Sequence, residues 1–263
     1  MKKHEVTIVS SFTVDPVRES IGYWLGAHGY DAVFRSISGN QVIAQLLSPD
    51  GILHAAKGTG SVFVRIEDFV PANMIEHNEE SGKVEFKELL TRNIKDLADA
   101  IEQFCEVSKK SMIVCICPGS PGETRGIRAD IMKDAGEFLA GAMEKNNSVT
   151  LITAEDILGL YPMDNYYDYH ADKLAHIPYV AEFFSILGTV VSRRILASIM
   201  DPCKAIILDC DNTLWAGVCG EDGVSGIAID GVHLEIQQFM KAQKERGRLL
   251  CLCSKNNEKD IRE

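Results

Sequence analysis

At 263 residues, with 46% hydrophobic residues and a net charge of -11, the chain exceeds one average domain and has an ordinary globular composition. The acidic balance repels phosphate backbones, and the basic pairs Lys109-Lys110 and Arg193-Arg194 are isolated rather than gathered into a stripe, which excludes nucleic acid as a partner. The basic start meets only the short apolar run Val6 to Val9, and the stretch from Phe183 to Met200 is broken by Arg193 and Arg194, so neither a signal-peptide core nor a membrane span is present and a cytoplasmic protein is expected.

In chain order, Val6 to Ser10 reads as a strand, about 16–28 as a helix, Ala32 to Phe34 as a short second strand and Ser61 to Ile66 as a third. Glu85 to Ser108 is a long amphipathic helix with Leu89, Ile94, Leu97, Ile101 and Phe104 near one face. Met112 to Cys117 returns as a strand closed by Pro118-Gly119; a helix over about 127–144, a strand over 149–152 and a helix over 179–199 follow. This alternation predicts a three-layer α/β/α domain around a parallel sheet, residues 1–201. The break at Asp201-Pro202 opens a second domain, 202–263, with strand Lys204 to Leu208, a Gly-rich segment from Gly217 to Gly231, a helix over about 232–246 and strand Arg248 to Cys253. Cys115 and Cys117, like Cys251 and Cys253, sit two apart in strands; neither spacing is that of a zinc knuckle, and buried free thiols are expected.

The chemistry gathers in Ala205 to Trp215, an apolar strand that delivers two carboxylates and a hydroxyl to the loop at its carboxyl end, where open α/β sheets place ligands. Asp209 there can attack phosphorus to form an aspartyl phosphate, while Asp211 can protonate the leaving oxygen and then activate water. Carboxylates facing a phosphate need a counter-charge, which Mg²⁺ held by Asp209 and Asp211 supplies, and Thr213 can bond the phosphoryl oxygens. A bare turn is the other reading of Asp-Cys-Asp-Asn. A second apolar strand ending in Ser254-Lys255 places a hydroxyl and a cation where a neighbouring strand meets the same phosphate, which favours the chemical reading.

Leu208 to Gly223, LDCDNTLWAGVCGEDG, with the run from Leu250 to Glu258, resembles the FkbH-like proteins, subfamily IIIC of the haloacid-dehalogenase superfamily. The resemblance extends upstream through Ser10-Ser11-Phe12-Thr13, Asn40-Gln41, Val64 to Asp68, Cys117-Pro118 and His176-Ile177-Pro178-Tyr179, and so covers nearly the whole chain. It implies an SGNH-hydrolase-like N-terminal domain and, in 202–263, the first half of a haloacid-dehalogenase-like Rossmannoid phosphatase domain. The implied activity takes 1,3-bisphosphoglycerate, transfers the glyceryl group to the phosphopantetheine thiol of an acyl carrier protein serving polyketide synthase modules, and removes the phosphate. An acyl relay through a thiol would then fall to Cys219, with Cys210 as the lesser candidate. Alternatives are a non-catalytic carrier-protein-binding fragment and a magnesium-dependent small-molecule phosphatase. The N-terminal half departs from the SGNH pattern: no G-D-S block and no G-x-N-D segment exist. Ser11 and Asn40 could simply cap helices, and His176 could orient the turn that follows it as well as act as a base. The family continues past the position of Glu263 with a lysine and a further acidic metal ligand, so the chain is expected to be a fragment or the product of a split gene.

Overall fold

A computed structural model describes residues 1–71, 74, 83–121 and 127–262, which divide into two compact units, Met1–Ile199 and Met200–Glu263. The first is built on five parallel strands in the order β2-β1-β3-β4-β5: β1 (Lys2–Ser10), β2 (Tyr30–Ser38), β3 (Thr59–Val64), β4 (Met112–Ile116) and β5 (Val149–Ile152). The central strands are apolar on both faces because both are covered, as parallel sheets require. Along β3 and β4 the alternation is visible residue by residue. Val62, Val64, Met112 and Val114 face one core with Leu90, Ile94, Leu97 and Ile101 of α4 (Lys83–Ser108) and Leu139 of α5 (Ile127–Glu144). Phe63, Ile113 and Cys115 face the other, with Ile21 and Leu25 of α1 (Val17–Ala27) and Phe183, Leu187 and Val191 of α8 (Ala181–Ile199). These are the three α/β/α layers expected.

Among the described residues of the first unit, four short α-helices escaped the sequence pattern: α2 (Val42–Leu47), α3 (Ile52–Ala55), α6 (Ala154–Leu160) and α7 (Tyr169–Ala175). One left a readable trace, since Thr153 and Asp156 form a reciprocal capping box at the start of α6.

The second unit is a parallel pair, β6 (Ala205–Leu208) and β7 (Leu249–Leu252), joined through the short α9 (Cys219–Asp222) and α10 (Gly231–Glu245), with α11 (Glu258–Arg262) beyond. Asp230 starts α10 by accepting the His233 N–H. One face of the pair, carrying Ala205, Ile207, Leu249 and Cys251, is exposed. The expectation of buried thiols therefore holds for Cys115 and Cys117 but not for Cys251 and Cys253, which are exposed because nothing described covers that side of β7. No helix among the described residues is long and apolar enough to cross a membrane.

Candidate functional site

Parallel pairing of β6 with β7 in the register Leu208↔Leu252, continued by the Cys253 N–H donating to Leu208 O, sets the two polar strand tips side by side. The chain turns sharply after Asp209. Thr213 and Leu214 both donate to Cys210 O, and Asn212 adopts a left-handed conformation, φ 53°, tolerable for asparagine, with its Oδ1 accepting the Gly217 N–H. Asp209 is exposed; its Oδ1 accepts the N–H of Cys210, and its Oδ2 has no partner among the described residues. The Thr213 hydroxyl and the exposed Lys255 ammonium are likewise without partners there, and Ser254 Oγ accepts the Asn256 N–H.

Asp211 is held differently. Its Oδ1 accepts the Cys219 N–H at 3.0 Å and Trp215 Nε1 at 3.1 Å, and its Oδ2 accepts Asn256 Nδ2 at 2.8 Å. These donors, the Cys219 N–H foremost, hold its pKa below the ordinary carboxylate value. As placed, Asp211 is an ionised base. To act as the acid it must first be protonated, which every one of these bonds opposes. Asn256 is thus a site residue to which the sequence alone assigns no role; only the strand register brings it to Asp211.

The two cysteines considered for an acyl relay, Cys210 and Cys219, are buried. Cys219 contributes its backbone to Asp211, and its side chain is 3% exposed, so the thiol is not presented to an incoming acyl group. Burial pushes the Cys210 thiol up. Magnesium suits the donor set in a limited way: the unpartnered Asp209 oxygen is a hard ligand, and Mg²⁺ commonly keeps several waters beside one or two carboxylates. Among the described residues no three His, Cys, Asp or Glu side chains stand close enough to hold a metal by themselves.

In the first unit the residues of the upstream motifs meet around Arg65, whose side chain is 2% exposed. Its guanidinium grips Asp68 through Nε and Nη2 at 3.1 and 2.7 Å, and reaches Asp172 and the Tyr167 hydroxyl. Ser11 Oγ donates to Asp68 Oδ2 at 2.5 Å and accepts the Arg65 N–H at 3.1 Å, and it caps no helix. His176 closes α7 in a left-handed conformation, φ 54°. Its Nε2 stands 3.1 Å from Asp68 Oδ1 and 3.0 Å from Arg65 Nη2. With one proton it can donate to the first or accept from the second, not both. The bond to Asp68 raises its pKa, and that bond with the Arg65 charge lowers that of Asp68 against the cost of burial. His176 therefore pairs with Asp68 and makes no bond to Ser11, and a serine–histidine pair is not assembled.

A two-unit α/β protein with a carboxylate-bearing strand tip in its smaller unit is the class these features define. Among solved structures the chain is similar to the N-terminal part of a Bacteroides fragilis protein that contains a phosphatase domain and was crystallised with magnesium, at 19% identity and a TM-score of 0.76 over 99% of this chain and 71% of that one. Weaker likenesses are to a salicylyl-acyltransferase of a tetracycline biosynthetic pathway (18% identity, TM-score 0.43, 76% of this chain and 55% of that one) and to an acetylxylan esterase from Geobacillus stearothermophilus (12%, 0.46, 74% and 95%). The first establishes the fold; the other two, below 0.5, carry nothing further. No family model matches the sequence, and no curated protein matches it.

Proposed function

We propose that the chain belongs to a magnesium-dependent phosphatase that works through an aspartyl phosphate on Asp209. The observation that carries this reading is the side-by-side placement of two polar strand tips, Asp209, Asp211 and Thr213 on one and Ser254 and Lys255 on the other. The unpartnered Asp209 oxygen attacks phosphorus, and as the bond from phosphorus to the leaving oxygen breaks, that oxygen takes a proton from Asp211, which is protonated beforehand from solvent. Thr213, Ser254 and Lys255 bind the phosphoryl oxygens. Water, its proton accepted by Asp211, then cleaves the aspartyl phosphate and releases inorganic phosphate. Bound magnesium would neutralise charge on the transferring group.

The finer reading is that of the resemblance: glyceryl transfer from 1,3-bisphosphoglycerate to the phosphopantetheine thiol of an acyl carrier protein in polyketide biosynthesis, with phosphate removal by this site. The buried thiol of Cys219 speaks for direct transfer to the carrier rather than through an enzyme thioester. Incubation with carrier protein, 1,3-bisphosphoglycerate and magnesium, read by intact mass and phosphate release, tests both levels. Asp209→Asn keeps the shape and removes the attacking anion, so phosphate release is expected to fall by roughly three orders of magnitude or more. Retained release in that variant removes the phosphatase reading; release without a glyceryl adduct removes the finer one alone.

A further inference from the structure

The upstream motif residues that the phosphatase reading leaves unused converge at the carboxyl end of the five-stranded sheet. Ser11 follows β1, Asn40 follows β2 and Asp68 lies just past β3, at the place where strand order reverses and open α/β sheets form a crevice. All three line a cavity of about 480 Å³, with Val42, Ile43 and Phe69 as an apolar wall. A few polar groups against an apolar wall, in a space of this size, are the makings of a small-molecule site.

We propose that this cavity binds a small uncharged molecule carrying an amide or hydroxyl group on a short alkyl chain, with Ser11 as a hydrogen-bond acceptor rather than a nucleophile. Charge selects against ions. The Asp68 carboxylate, its side chain 4% exposed, already accepts from Ser11, from Arg65 twice and from His176, which uses its lone-pair directions. It offers a cation nothing new, and because the single guanidinium of Arg65 is shared among Asp68, Glu67 and Asp172, it has no charge left over for an anion. Reactivity is withheld from Ser11 by the same bonds. Its only proton points at a carboxylate kept ionised, a weak base, and His176 is spent on Asp68. One lone pair remains on the Ser11 oxygen after the Arg65 N–H is counted. Asn40 is exposed, and its side-chain amide has no partner among the described residues, so it supplies both a donor and an acceptor.

The full chain, labelled with ¹⁵N, is titrated with N-butylacetamide, butyrate and butylammonium while amide shifts are followed by NMR. Saturable shifts at Ser11, Asn40 and Phe69 are expected for the amide, with each charged analogue about tenfold weaker. Asn40→Ala, at an exposed position, should weaken the amide about fivefold. Ile43→Trp, at a half-buried one, should fill the cavity and abolish binding, with circular dichroism showing that each variant is folded. A fluorophosphonate probe should leave Ser11 unmodified by intact mass. The proposal is overturned by absent or non-saturable amide binding, by butyrate or butylammonium binding as well as the amide, by undiminished binding in either folded variant, or by a covalent adduct on Ser11.

Discussion

His176 and Asp68 bind each other with opposite demands on pH. His176, raised above its ordinary 6.5, contributes stability that is fully present below that value and is lost as pH rises through the raised one. Asp68, depressed below its ordinary 3.8, contributes stability that is present above that value and is lost as pH falls through the depressed one. The first unit should be most resistant between the two limits. Thermal melts of the wild type should lose stability on the alkaline side of 6.5, whereas His176→Gln, whose amide donates at any pH, should lack that loss. Parallel alkaline slopes in the two proteins would remove His176 from the account. Arg65 stays charged throughout, since Asp68 and Glu67 outweigh the cost of burying it. The motifs named Ser11, Arg65, Asp68 and His176, but none of the contacts among them was legible in the chain. Ser11 and Asp68 are 57 residues apart and Arg65 and Asp172 are 107 apart, and local period carries no information across such distances. Asp209 and Thr213, by contrast, sit within one strand tip, where apolar run and polar ending are read together.

At the scale of elements, long runs announced themselves and short ones did not. The α4 stripe of Ile94, Leu97, Ile101 and Phe104 repeats at helical spacing over many turns, with Leu90 buried rather than the expected Leu89, whereas α2 and α3 end before any period can establish itself. The crossing of α1 with α8 is a relation no single-element pattern contains. A Cβ on Gly188 would lie 2.6 Å from Ser20 Cβ and 2.9 Å from Val17 O, so this mid-helix glycine lets the two helices approach. Ser20 Oγ reaches Ser185 O, and Trp24 Nε1 donates to Thr189 Oγ1 across the same contact. Gly188→Ala improves helix propensity by about 1 kcal/mol and still should destabilise the unit by about 1–3 kcal/mol through overpacking, read from urea melts. Adding Ser20→Gly should recover part of the loss; a neutral or stabilising single variant would mean the helices part at no cost.

In the whole molecule, burial is unequally shared. Both large apolar cores belong to the first unit, while the buried apolar residues described in the second are Cys210, Leu214 and Cys219. Ile207, Leu249 and Leu252 are more than half exposed, as are Phe239 and Val232 of α10. A two-stranded pair with so small a core is marginal in water, and a parallel sheet is ordinarily covered on both faces. Limited proteolysis should therefore cut first within 200–263 and leave a resistant piece of about 200 residues. First cuts within β1, β3 or β4 would reverse this ranking. A polypeptide that covers the open face of β6 and β7 should slow the cleavage.

The strand order of the larger unit has a consequence for how the chain is made. β1 is an interior strand, and each later strand, β2, β3, β4 and β5, joins an edge already present, so the sheet can grow in the order of synthesis. Its two faces do not close together. The α4 and α5 side lacks only Val149 and Leu151 of β5 once residue 144 has emerged, but the other side holds α1, and then Ile157 of α6 with Tyr166 and Tyr179, until α8 arrives at 181–199. For that interval Ile8, Phe63 and Ile113 face outward on a half-clothed sheet, which makes the stretch between β5 and α8 the part of translation during which this protein depends on chaperones or on speed.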